Sequence, residues 1–163
     1  MTPVPHFTAD SLLALWRRQA QAHPDTAAVA FGDIAVSYRE LDCLTDELAD
    51  HLKNRGVMPG DRVGVCLERS PRMPMSVLAV LKVGAAYLPL DPRYPADRLA
   101  FMLADGDVCV LLTERTVPVQ LAFDPSRTVL VDDLLLPLPP VLRGERVGVR
   151  REVVPLENSW FGK

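Results

Sequence analysis

The chain has 163 residues, with 18 Lys and Arg against 21 Asp and Glu, a formal charge of −3 and a pI near 5.6. This balance excludes a strongly basic nucleic-acid binder, whose affinity rests on an excess of cations set against phosphates. Apolar residues make up 48% and charged residues 24%, a globular composition at a length suited to one domain or part of a larger one.

No stretch approaches the roughly twenty apolar residues of a membrane span, and MTPVPHFTAD lacks the basic and apolar regions of a signal peptide, so the default compartment is the cytoplasm. Residues 8–23 place Leu12, Leu13, Leu15, Trp16 and Ala20 at helical spacing, with Thr8 in position to cap and Phe7 to staple. His23-Pro24 ends that helix. AAVAF (27–31) and IAVSY (34–38) flank Gly32-Asp33, the pattern of a small β-hairpin.

Ser37-Tyr38-Arg39-Glu40 has the spacing of a capping box, in which the Ser hydroxyl takes an orphan amide and the Glu returns to the cap's own N–H. Leu41, Leu44, Leu48 and Leu52 then form one apolar stripe, and Gly56 supplies the stop. After the turn Pro59-Gly60-Asp61, RVGVCLE (62–68) reads as a buried strand, and Ser70-Pro71 as cap and opening of a helix that closes at Gly84. Pro74 falls in its first turn, where a missing N–H costs no internal bond. A strand AYLPLD (86–91), a helix from Ala96 to Ala104, a strand VCVLLT (108–113) and a further strand TVLVDD (128–133) follow. Apolar strands alternating with helices predict an α/β fold with a parallel sheet flanked by helices. LLLPLPP marks a Pro-rich linker at 134–140, within a divergent tail of residues 116–163.

Candidate chemistry is sparse. Cys43, Cys66 and Cys109 are too far apart for a CxxC site and are expected to be reduced core residues. His6, His23 and His51 share no ligand spacing, and His51 belongs on the solvated face of the second helix. None of Ser11, Ser37, Ser70, Ser76, Ser126 and Ser159 lies in G-x-S-x-G, and no G-x-G-x-x-G occurs. Lys82, in a helix's last turn, complements the dipole, and Asp91 and Asp97 have no second carboxylate to form a dyad.

VSYREL (36–41), GVMPGDRVGVCLERS (56–70) and LKVGAAYLPLDPRYPADRLAFML (81–103) together resemble the start of an amino-acid adenylation domain of a nonribosomal peptide synthetase, in the acyl-adenylate-forming (AMP-dependent synthetase/ligase) superfamily. VSYREL looks like the family's first core motif and LKVGAAYLPLD like its second. LPLDPRYPADRL is the pattern of the peptide-synthetase members. The likeness covers residues 7–115, so residues 1–115 are read as the N-terminal part of such a domain. The resemblance implies activation of an amino acid with ATP and magnesium to an aminoacyl adenylate, then transfer to a carrier-protein thiol. Carrier protein and other synthetase domains are the implied partners.

The family's phosphate loop, a Ser/Thr/Gly-rich segment ending in lysine, has no counterpart in GVRREVVPLENSWFGK, where the terminal Gly162-Lys163 stands without a run of small hydroxyl residues. No catalytic, cofactor-binding or metal-ligating residue is therefore carried over. The expectation is a truncated domain, inactive alone, that leaves an apolar face open to self-association. The alternative is a stand-alone interaction module derived from the same fold.

Overall fold

The computed structural model describes residues 11–32, 34–117 and 122–134. Helix α1 (Leu12–Ala22) precedes an antiparallel hairpin, β1 (Ala27–Phe31) and β2 (Ile34–Ser37), and helix α2 (Tyr38–Asn54) follows directly. Then come β3 (Arg62–Cys66), α3 (Arg72–Val83), β4 (Ala86–Pro89), α4 (Ala96–Asp105), β5 (Val110–Thr113), β6 (Thr128–Leu130) and the single-turn α5 (Val131–Leu134). The larger sheet has the order β4-β3-β5-β6, and every neighbouring pair is parallel. This is the α/β architecture with a small hairpin that the apolar strands and intervening helices predict.

Strand alternation divides the core. Val63 and Val65 of β3, Val110 and Leu112 of β5 and Val129 of β6 face one way, into a cluster with Leu41, Leu48 and Leu52 of α2 and Met75, Leu78 and Ala79 of α3. Cys66 and Leu111 face the other way, against Leu99 and Leu103 of α4. Gly64 makes this second packing feasible. A Cβ there would lie 3.0 Å from Leu111 Cδ1 and 3.3 Å from Leu103 Cδ2, so only a bare backbone admits α4 without displacement.

Helix ends follow local chemistry. The Ser37 hydroxyl accepts the Glu40 N–H at 3.3 Å while the Glu40 carboxylate accepts the Ser37 N–H at 2.9 Å, completing the capping box. At the end of α2 the Val57 N–H donates to the Leu52 carbonyl and the Gly56 N–H to that of Lys53, with Gly56 at φ +84°, a Schellman closure. Helices α3 and α4 close the same way around Gly84 (φ +84°) and Asp107 (φ +45°).

The structure corrects several local expectations. Helix α1 starts at Leu12, capped by the Ser11 hydroxyl accepting the Ala14 N–H, so Thr8 is not its cap; Phe7 and Thr8 lie outside the described residues. Ser70 does not cap α3, whose N-cap is Pro71 with no side-chain bond, and the Ser70 hydroxyl is buried without a partner. The strands are shorter than their apolar runs because pairing ends where each crossover leaves the sheet. TVLVDD is divided, only Thr128–Leu130 pairing with β5 before the chain turns into α5. Cys43 is exposed rather than core, whereas Cys66 is buried and Cys109 half-buried, all three free thiols. Most of the Pro-rich segment and the tail beyond Leu134 lie outside the described residues.

Candidate functional site at the carboxyl ends of the strands

In open parallel sheets ligands bind outside the carboxyl ends of the strands, where the strand order reverses. Here the chain passes from β3 to β4 on one side and then to β5 on the other, so the reversal lies between β3 and β5. The protein fills that crevice with its own carboxylate. Glu114, immediately after β5 and 4% exposed at its side chain, accepts the Glu68 N–H at 2.8 Å from the end of β3. Arg72, in the first turn of α3, brings one amino group to 3.6 Å from Glu114 Oε2 and the other to 3.7 Å from Asp132 Oδ1, beyond β6. Asp132 in turn accepts the Arg115 N–H at 2.7 Å. The Arg72 Nε is buried without a partner. One guanidinium thus ties the ends of β5 and β6 to α3, a linkage that holds two strand ends in register rather than one that leaves room for a ligand.

A second, open cleft lies beside it at the ends of β3 and β4. It encloses about 360 Å³ and carries Glu68, Arg69, Asp91, Arg93, Tyr94 and Arg98 on its rim. Asp91 is gripped by Arg93, with Nε 2.9 Å from Oδ1 and a terminal amino group 2.6 Å from Oδ2. Those bonds hold the Asp91 carboxyl down to about 2. Behind it, burial and the charges of Asp91, Glu68 and Glu114 push the Cys66 thiol up to about 11, which leaves it a poor nucleophile at neutral pH.

Lys82 stands in the last turn of α3, as the dipole reading has it, but it is also paired across to α2 and does not face this rim. Ten residues from Arg72 on the same helix, it lies about 15 Å away along the axis. Its side chain, 8% exposed, donates to Asp42 Oδ1 and Asp46 Oδ1 of α2, each at 2.7 Å, and to the Asp42 carbonyl at 3.0 Å. Trp16 Nε1 of α1 donates to the same Asp42 oxygen at 3.0 Å, joining three helices at one carboxylate. His51 also departs from expectation. Its Nε2 is buried without a partner, and burial together with Arg55 lowers its pKa from the ordinary value. Asp97 lies in the first turn of α4, exposed. No cluster of three or more His, Cys, Asp or Glu suited to a metal occurs among the described residues.

Sequence reasoning missed Glu68, Arg72, Glu114 and Asp132. The available signal was a carboxylate directly after a fully buried strand, VLLTE, since such a position obliges the side chain to find a donor.

The sequence profile of AMP-binding enzymes matches residues 16–153, past Arg115 where the motif likeness ends. Gramicidin S synthase 2 of Brevibacillus brevis is 39% identical over 132 residues, 81% of this chain and 3% of that protein. Bacitracin synthase 3 of Bacillus licheniformis is 40% identical over 116 residues, 71% of this chain and 2% of that protein. Among solved structures, holo-AB3403, a four-domain nonribosomal peptide synthetase bound to AMP and glycine, superposes with a TM-score of 0.67 and 32% identity over 76% of this chain and 9% of that one. The chain therefore spans only a few per cent of the length of these curated relatives. With a family match over most of its length and a fold shared with peptide-synthetase adenylation domains, the chain belongs to the AMP-binding enzyme family.

Proposed function

We propose that these residues form the first α/β layer of an amino-acid-activating domain, which makes an aminoacyl adenylate from ATP and passes the acyl group to a carrier-protein thiol in the cytoplasm. The observation that carries this reading is the continuous family match over residues 16–153, joined to the peptide-synthetase pattern LPLDPRYPADRL. In this reading the layer is a scaffold. Its crevice at the strand reversal is occupied by Glu114, and the rim offers no glycine-rich nest for phosphates, so ATP and magnesium are held elsewhere in such a domain.

The 163 residues by themselves accordingly do not catalyse. Purified chain, assayed for amino-acid-dependent exchange of pyrophosphate into ATP, is expected to match a heat-killed control for every amino acid supplied. Exchange above that control overturns the scaffold reading.

The same reading accounts for an open groove on the sheet among the described residues. Helix α4 packs against Cys66 and Leu111, while Val117, Phe123, Thr128 and Leu130 border an open groove of about 420 Å³ over the β5–β6 half. In the isolated 163 residues this half promotes association between copies.

A further inference from the structure

The cleft at the ends of β3 and β4 joins an apolar floor to a charged rim. Its floor is apolar, with Leu67 and Leu90 each 2% exposed and Met73 and Met102 half-buried beside them. Its rim holds three guanidiniums, Arg69, Arg93 and Arg98, against Glu68 and Asp91. Asp91 is held by its two-pronged bond to Arg93 and also feels the charge of Arg69, so the rim sets three guanidiniums against two carboxylates. The cleft is thus locally cationic on a chain whose net charge is −3.

The two remaining cations are presented outward. Arg69 is exposed and makes no hydrogen bond among the described residues. Arg98 lies over the Tyr94 ring, its Cζ 4.4 Å from the centroid, a cation–π contact that leaves its N–H groups available. Arginine and tyrosine around an apolar centre are the composition of protein-recognition hot spots, and flexible methionines suit a floor that adapts to a side chain.

We propose that this cleft is a docking site for an acidic peptide segment of a partner domain, one apolar side chain seated between Met73 and Met102 and flanking carboxylates paired with Arg69 and Arg98. Charge complementarity selects the occupant: a basic segment meets the guanidiniums with repulsion, and a neutral one leaves them unpaired. The inference does not depend on whether the domain activates an amino acid.

The test titrates the full 163-residue chain, methyl-labelled at methionine, with the peptide acetyl-Glu-Glu-Leu-Glu-Glu-amide. Saturable shifts at Met73 and Met102, with Met58 and Met75 unmoved, are expected. Arg69→Glu combined with Arg98→Glu should weaken binding by about tenfold or more, and added salt should weaken it in the native chain but not in the variant. The matching peptide with lysines in place of glutamates should not bind. Both substitutions are at exposed positions, and an unchanged methyl spectrum of the variant establishes that it is folded. Absence of saturable shifts, shifts confined to other methyls, or equal binding of the acidic and basic peptides overturns the proposal.

Discussion

At the residue scale a single lysine ties two helices together. Lys82 is a long cation whose amino group is almost fully withdrawn from water and shared by two carboxylates of α2. Burial raises the Asp42 carboxyl, but hydrogen bonds from Lys82 and Trp16 and the charges of Lys82 and Arg17 outweigh it, leaving the group below its ordinary value of 3.8. A carboxylate with a depressed folded pKa contributes stability that is present above its unfolded pKa and is lost as pH falls through the folded one. Replacing Lys82 by Met keeps much of the stem's packing and removes the charge. Because Asp42 and Asp46 are 39% and 64% exposed, water takes up part of the lost interaction, and a cost of about 1–2 kcal/mol is expected. Urea denaturation at neutral pH reads that cost, and the same measurement repeated as pH falls through the depressed folded pKa of Asp42, below 3.8, should find the two proteins closer together, since protonation there removes the native contact as well. A loss that stays constant down to that pH would assign the effect to packing alone. None of this was visible in the sequence. Lys82 and Asp42 are 40 residues apart, and a lysine in a last turn satisfies the dipole rule whether or not another helix crosses it.

At the element scale, glycine and proline made the order of helices and strands readable. Pro24, Gly56, Pro59-Gly60, Gly84 and Pro95 stand near the element boundaries, and each acts through its own backbone restriction or freedom, so these boundaries required no tertiary information. Strand lengths were less legible because apolar residues continue past the last paired position into buried crossovers, as Leu67 does after β3 and Leu90 after β4. Gly64 illustrates the reverse case, a residue whose role appears only in the packed molecule. Its neighbours Val63 and Val65 fix which face it occupies, and α4 approaches that face through Leu103. Gly64→Ala adds one methyl where Leu111 Cδ1 would lie at 3.0 Å. The strand itself gains slightly from losing glycine's unfolded freedom, by about 0.5–1 kcal/mol, while overpacking a filled core costs about 1–3 kcal/mol. Net destabilisation is therefore expected, read as a lower thermal midpoint with the far-ultraviolet spectrum intact. An unchanged or raised midpoint would mean that the leucine side chains yield without strain. The effect should fall on α4 and the sheet face beneath it, leaving the α2–α3 side unaltered.

At the scale of the whole molecule, the two faces of the sheet are unequally served. One face carries α2 and α3 and most of the buried apolar side chains; the other carries, among the described residues, the single helix α4, packed on Cys66 of β3 and Leu111 of β5. The outer edge of β6 pairs with no strand among the described residues, and Leu130 and Phe123 beside it are half-buried. An open backbone edge next to apolar side chains is a template for a second chain. Sedimentation equilibrium of the 163 residues should therefore show a mass that rises with concentration. Leu130→Gln, a polar change on the open half, should lower that association while leaving the thermal midpoint of dilute protein nearly unchanged, because Leu130 does not join either buried cluster. The cleft at the ends of β3 and β4 does not include Leu130, so peptide binding at Arg69 and Arg98 serves as an internal control for the specificity of this substitution. A mass that stays monomeric at every concentration would mean that the charged rim of Glu114 and Arg115 already keeps copies apart. In that case the layer is self-sufficient, and its role as part of a larger activating domain would need support from a different face.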